Sequence, residues 1–164
     1  MNAAQPAFLC RAGTRKDLGQ VMQVMNTAFN PAFGEAWTRS QVEGMLDIPG
    51  SWLTVAVCDN TIVGFSLMRS VLDEAELLLI AVDPGWQGRN IGRTLLFDNI
   101  SAANLRNIHH LHLEVRETNN AIRVYKSAGF VHCNTRKAYY RGHDGQLFDA
   151  LSFMMTLKQK SKSA

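Results

Sequence analysis

A chain of 164 residues, 46% hydrophobic and 19% charged, has material for one core of domain size and no second one. Its formal net charge of +3 is too mild to point to specific nucleic-acid binding. No apolar run reaches about 18 residues, so neither a membrane span nor a secretory leader is expected, and the reading is a cytoplasmic single domain over residues 1–157 with a mobile basic tail at 158–164.

Residues 1–7 read as frayed, and Phe8 to Ala12 as a first strand. Thr14 with Asp17 three residues on is a capping signal, after which Leu18, Val21, Met22, Met25 and Ala28 repeat at helical spacing. Thr38 with Gln41 forms a second such signal ahead of Val42, Met45 and Leu46, and Pro49-Gly50 stops that short helix. Trp52 to Val57 and Ile62 to Arg69 read as strands joined by a turn at Cys58-Asp59-Asn60-Thr61.

The next strand, apolar from Leu77 to Val82, is stopped by Asp83-Pro84-Gly85. A basic, small-residue turn follows, Gln87-Gly88-Arg89-Asn90-Ile91-Gly92-Arg93. It opens a helix marked by Ile91, Leu95, Leu96 and Ile100 that fades near Asn104 to Ile108. Backbone N–H groups left free at a helix start, the positive end of its dipole and two arginines suit a pyrophosphate. Taken alone, such a turn is also an ordinary connection.

Downstream, Leu111, Leu113 and Val115 alternate with His112 and Glu114, a strand with one apolar and one polar face. Asn120 to Ala128 reads as a short helix with Gly129 at its C′ position. Phe130 to Thr135 and Leu147 to Leu157 read as the last two strands. Cys10, Cys58 and Cys133, odd in number and widely separated, read as reduced, packed thiols. His109, His110 and His112 at a strand start lack carboxylate or Cys partners at ligand spacing, so no metal is expected. The Lys158, Lys160 and Lys162 tail reads as solvated, with weak RNA attraction as its one alternative.

The turn from Gln87 to Gly92 resembles the acyl-CoA pyrophosphate loop of the GNAT N-acetyltransferases, with Asn90 standing where that pattern has its middle Gly. Asn is the non-Gly residue most tolerant of positive φ, so the loop shape is expected to survive. The resemblance extends over nearly the whole chain. Ala36-Trp37-Thr38, Val71 to Ala75, Ile80 to Pro84, Leu113-Glu114-Val115-Arg116, Tyr125 with Ala128-Gly129-Phe130, and Tyr139-Tyr140 are similar to the RimI branch, the ribosomal-protein-alanine N-acetyltransferases. The fold it implies is an α/β (α+β) GNAT acyl-CoA N-acyltransferase fold, a mixed central sheet of about seven strands with four helices.

The resemblance implies acetyl-CoA as acetyl donor, a protein or peptide N-terminus as acceptor (an N-terminal Ala of a ribosomal protein within the branch), direct attack in a ternary complex, and a monomer or weak dimer with no membrane partner. It implies Glu114 as general base through water and Tyr125 as proton donor to the departing sulfur. Ile80, Ala81 and Val82 would pair with the pantetheine arm, with a strand bulge near Val82 turning an amide toward the thioester oxygen. Gln87, Gly88, Arg89, Asn90, Ile91, Gly92 and Arg93 would cradle the pyrophosphate. The Glu114 to Tyr125 interval is one residue shorter than the branch pattern, within Thr118-Asn119-Asn120, and Asn119 is preferred to Asn120 for the branch's Asn contact to the cofactor.

Acceptor chemistry agrees with an α-amine, whose reference pKa of about 7.7–8.0 lies well below the roughly 10.4 of a Lys side chain, so a carboxylate-ordered water has less to do. Two other readings stand beside it. One moves the chemistry to a Lys or small amine held in an acidic groove drawn from Glu35, Glu43, Asp73, Glu74 or Asp144. The other is a non-catalytic acyl-CoA-binding module. Glu114 as a solvated strand residue, Tyr125 as core packing with Ala121 and Ala128, and Trp37 with Tyr139-Tyr140 as caps on the core are the structural alternatives for the same residues.

Overall fold

The computed structural model describes residues 4 and 6–158; residues 1–3 and most of the expected tail, Lys160 and Lys162 included, lie outside the described residues. In chain order the elements are β1 (Leu9–Ala12), α1 (Leu18–Ala28), α2 (Arg39–Leu46), β2 (Ser51–Cys58), β3 (Thr61–Val71), β4 (Glu74–Val82), α3 (Ile91–Leu105), β5 (His110–Arg116), α4 (Ile122–Ala128), β6 (Val131–Arg141) and β7 (Leu147–Thr156).

Local chemistry sets most of the ends. Thr38 Oγ1 accepts from the Gln41 amide at 3.2 Å, and the Gln41 side chain accepts from the Thr38 amide at 2.8 Å, the reciprocal box that starts α2. Asp17 accepts from the Thr14 amide at 2.8 Å, and a single 3₁₀ turn, Arg15–Asp17, intervenes before α1. Asp59 and Asn60 both take positive φ (46° and 64°), the two-residue turn whose twist matches the flanking strands. Gly129 at φ 109° ends α4, as expected of a C′ glycine.

The seven strands form one sheet in the order β1-β2-β3-β4-β5-β7-β6. Every pairing is antiparallel except β4 with β5, which α3 joins as a crossover. Helices α1 and α2 cover one face, where Leu18, Val21, Met25 and Val42 pack on Phe65, Leu67, Leu79 and Ala81. Helices α3 and α4 cover the other, where Leu96, Ala103 and Tyr125 pack with Leu77, Leu111, Leu113 and Phe153.

One irregularity in β4 decides which of its residues face which helical layer. Leu67 pairs with Leu79 and Met68 with Leu77, so Leu78 is an extra residue. A one-residue insertion exchanges the faces of a strand. Ala75 and Leu77 belong to the α3 side, whereas Leu79 and Ala81 belong to the α1 side. The sequence places the bulge near Val82; it lies at Leu78, because the apolar run Leu77-Leu78-Leu79-Ile80 supplies two consecutive residues able to face the α1 layer and so tolerates the switch. The parallel pairing of β4 with β5 runs only from Glu74↔His110 to Leu77↔Leu113, and the strands part just where this bulge begins.

Two boundaries differ most from expectation, and so does the burial of the thiols. β6 continues to Arg141, well beyond Thr135, because a second irregularity between Arg136 and Tyr140 hides its alternation; Ala138 sits there at φ 52°, its amide donating to Asp149 Oδ1 at 2.9 Å. α4 begins at Ile122, after a turn in which Asn119 Oδ1 accepts from the Ala121 amide at 2.8 Å and so spends Asn119 and Asn120 outside the helix. The three thiols are free, but only Cys58 is buried; Cys133 is exposed because it falls on the edge strand β6.

Gly64 fixes the height of α3 above the sheet. A Cβ there would lie 3.1 Å from Ala81 O, 3.1 Å from Ile91 Cγ2 and 3.2 Å from Leu95 Cδ1. Gly64→Val is expected to lower stability by about 2 kcal/mol through overpacking, read as a lower urea midpoint at unchanged slope.

Candidate active site

Where β4 and β5 part, the backbone edge of β4 is exposed to a cleft. The Asp83 amide donates to Val63 O at 2.8 Å, so the hydrogen-bonding edges of Asp83, Ala81 and Leu79 face β3, and those of Ile80 and Val82 face the cleft. Gln87 Nε2 donates to Val82 O at 3.2 Å, on that free edge.

Two cavities open from the cleft and share Phe29, Glu35, Ile80, Arg116, Asn119 and Tyr125 in their walls. The first, about 690 Å³, is walled by Ile80, Ala81 and Val82 of β4, by Gln87, Gly88, Asn90, Ile91, Gly92 and Arg93 at the start of α3, and by Asn119, Asn120 and Tyr125. Asn90 is the N-cap of α3 and takes the left-handed conformation (φ 62°), with its carbonyl accepting from the Thr94 amide at 2.9 Å; Gly88 has φ 79°. Asn therefore does what the middle Gly was expected to do. Arg93 lines the cavity while its guanidinium lies 5.0 Å from the Phe97 ring. Arg89 departs from expectation: its guanidinium stacks at 4.6 Å on Trp86, a cation–π partner on the neighbouring turn, and it is not part of the wall.

The second cavity, about 460 Å³, lies on the α1 side. Its wall includes Glu35, Trp37, Glu76, Leu78, Glu114, Tyr139 and Tyr140. Glu114 is on the polar face of β5, opposite Leu113 and Val115, which are buried against α3 and α4. Its carboxylate accepts from Arg136 Nε at 2.9 Å and from Arg136 Nη2, and Ser152 Oγ donates to it at 3.4 Å. Arg136 in turn stacks on Tyr139 at 3.8 Å. Burial, with the charges of Glu114 and Glu35 adding, pushes the Tyr140 hydroxyl up to about 12. Trp37 and Tyr139-Tyr140 thus line a groove and do not merely cap the core.

Tyr125 belongs to both walls. It is 5% exposed, packs edge-to-face on Phe130 with ring centroids 6.1 Å apart, and no protein group among the described residues hydrogen-bonds its hydroxyl. Burial, and secondarily the charge of Glu35, hold that phenol well above its ordinary range.

A bridge closes the cleft at its outer end. Arg116, at the end of β5, donates from Nε to Glu35 Oε1 at 2.7 Å, lies 3.7 Å over Phe33 and also bonds Thr118 Oγ1. Phe33 meets Phe148 of β7 edge-on at 5.5 Å, and the His143 amide donates to Ala32 O at 3.1 Å. The α1–α2 loop is so tied across the opening to the far half of the sheet. Both Arg116 and Glu35 are mostly buried, at 12% and 18% side-chain exposure, so the pair is more than a surface contact.

Of the acidic positions expected to supply an acceptor groove, Glu35 lines the second cavity and Glu43, Asp73, Glu74 and Asp144 do not. Asp73 and Glu74 instead lie 3.4 and 3.6 Å from His109 and His112. Sequence reasoning missed Glu76 and Arg136. Their signals were parity, an even position on each side of Leu77↔Leu113, and a basic residue before the Tyr pair, but both are masked by the bulges at Leu78 and Ala138.

An antiparallel sheet with one parallel junction, split beyond four residue pairs, a donor-rich helix start beside the split and an acid-lined groove next to it are the features of an acyltransferase fold. The chain matches the family model described as an acetyltransferase (GNAT) domain over residues 21–144, and it belongs to that family. It is a GNAT acetyltransferase, of a family whose donor is acetyl-CoA.

Among its relatives, the [ribosomal protein bS18]-alanine N-acetyltransferase of Salmonella typhimurium is 41% identical over 101 residues, 59% of this chain and 68% of that protein. The protein of the same name from Haemophilus influenzae is 42% identical over 82 residues, 50% and 56% of the two chains. The crystal structure of the ribosomal-protein-S18-alanine N-acetyltransferase from Escherichia coli superposes with a TM-score of 0.86 at 28% identity, covering 96% of this chain and 99% of that one. No helix among the described residues is long and apolar enough to cross a membrane.

Proposed function

We propose that the protein transfers acetyl from acetyl-CoA to the α-amine of a protein N-terminus, within one complex holding both substrates, and that an N-terminal Ala of a ribosomal protein is the leading acceptor. The observation that carries this reading is the meeting of two cavities at Tyr125, with Glu114 on the side opposite the α3 loop. The similarity to relatives named for the bS18 N-terminal alanine supports the choice of acceptor.

In this reading the pyrophosphate lies on the free amides of Gly88 to Arg93, and the pantetheine arm adds a partial strand to the Ile80–Val82 edge. The cleft-facing amides of Ile80 and Val82 are the donors available to the thioester oxygen as it gains charge. An ordered water takes a proton from the attacking ammonium and passes it to Glu114. The neutral nitrogen adds to the carbonyl carbon, the C–S bond breaks, the thiolate takes the Tyr125 proton, and the second proton that the nitrogen sheds as the amide forms returns through water to the Tyr125 phenolate. No side chain becomes acylated, so no nucleophilic Cys is required. Asn119 walls both cavities, while its Oδ1 is already committed to the Ala121 amide, leaving its Nδ2 for the cofactor.

The deciding experiment measures thiol release from acetyl-CoA against peptides that differ only in their N-terminal residues, each with an internal Lys and an N-blocked control. Release that disappears on blocking, and is greatest for N-terminal Ala, is the expected result. Release that survives blocking moves the chemistry to Lys, and none for any peptide despite acetyl-CoA binding removes the reading.

A further inference from the structure

Three carboxylates face the acceptor cavity, and two of them are already paired. Glu35 is held by Arg116 and Glu114 by Arg136. Glu76 has no ion pair among the described residues. Arg69 on β3 and His112 on β5 flank it in register, and neither closes on it. Its carboxyl is shifted above the ordinary range by partial loss of solvent and then by the neighbouring charge of Glu114, which together outweigh the opposing influence of His112, Arg69 and Arg136. A carboxylate beside a like charge, with cationic neighbours near it but none in direct contact, gains from an incoming cation.

Position selects the cation. Glu76 is the residue before Leu77, at the last β4–β5 pair, and it points to the α1 face as Glu114 does, because Leu77, Leu113 and Val115 all face α3 and α4. It therefore sits at the closed end of the cleft, on the acceptor side. An amine with a reference pKa of about 7.7–8.0 enters mostly protonated at pH 7. Glu114 cannot meet that ammonium with both oxygens while Arg136 occupies them; Glu76 can.

We infer that Glu76 is the residue that binds the acceptor's α-ammonium, a recognition role separate from the proton-accepting role of Glu114. This rests on the amine-acetylation reading. Glu76 holds the cation at the mouth of the split, and the proton then leaves through water to Glu114. The division of labour lets the base remain ion-paired until the amine is in place.

Binding and turnover test it separately. A peptide with a free N-terminal Ala, and the same peptide N-acetylated, are titrated into the full-length protein saturated with coenzyme A, as wild type, Glu76→Gln and Glu76→Asp. Glu76→Gln is expected to weaken the free-amine peptide about tenfold, the scale of one charge-assisted hydrogen bond, and to leave the N-acetylated peptide unchanged. Glu76→Asp recovers part of the loss. In steady state KM for the peptide rises about as much while kcat stays within about twofold. Equal weakening of both peptides, equal wild-type affinity for both, or a fall in kcat at constant KM each overturns the inference. Absence of wild-type acetyl transfer to the free-amine peptide would instead refute the proposed function, since the binding comparison needs no turnover.

Discussion

Replacing Glu114 by Gln is expected to lower kcat by about 10²–10³-fold while leaving acetyl-CoA affinity unchanged. The amide keeps the shape of the side chain and one acceptor for Arg136, so positioning largely survives and the proton-accepting function does not. Glu114 lies in the second cavity, whereas Gln87, Gly88 and Asn90 to Arg93, the proposed donor loop, line the first, which is why the donor's affinity should not respond. Arg136, about half exposed, remains hydrated when its partner becomes neutral, so the thermal midpoint should move little. Turnover and calorimetric acetyl-CoA binding measured on the same preparation decide the matter. Unchanged turnover removes Glu114 as base; lost binding marks it as structural.

The contrast between Glu114 and Glu76 explains how much of the site could be read from the chain. Glu114 is legible because β5 alternates without interruption: its neighbours Leu113 and Val115 are buried, so Glu114 must face the other way. The loop from Gln87 to Gly92 is legible for a similar reason. Its geometry is local, set by an Asp-Pro-Gly stop, positive φ at Gly88 and Asn90, and a helix start. Glu76 is opaque because the face of a β4 residue depends on which side of Leu78 it stands, and a bulge in an all-apolar stretch leaves no trace in alternation. Arg136 is opaque because the register shift at Ala138 hides the second half of β6. Arg89 could not be placed from the chain for another reason: charge at a helix start suggests an anion, while the adjacent Trp86 ring also offers the guanidinium a partner.

Tyr125→Phe is expected to lower kcat about 10²-fold with donor and acceptor KM near their wild-type values. The ring remains packed on Phe130, and its hydroxyl has no protein partner among the described residues, so deleting the oxygen breaks no hydrogen bond and leaves the urea midpoint in place. On the proposed role of Tyr125, what is lost is the proton for the leaving thiolate, whose conjugate acid lies near pKa 8.5. Because burial raises the phenol above its ordinary value of about 10, the neutral, proton-bearing form persists to higher pH; Tyr125 therefore contributes no alkaline limb to kcat below about pH 10. The same shift makes proton transfer uphill, so its contribution must come from contact with the sulfur and must depend on how badly the thiolate needs a proton. An acetyl thioester of a more acidic thiol needs it less. With such a donor the penalty of Tyr125→Phe should shrink toward unity, whereas a packing role for Tyr125 would produce the same penalty with every leaving group.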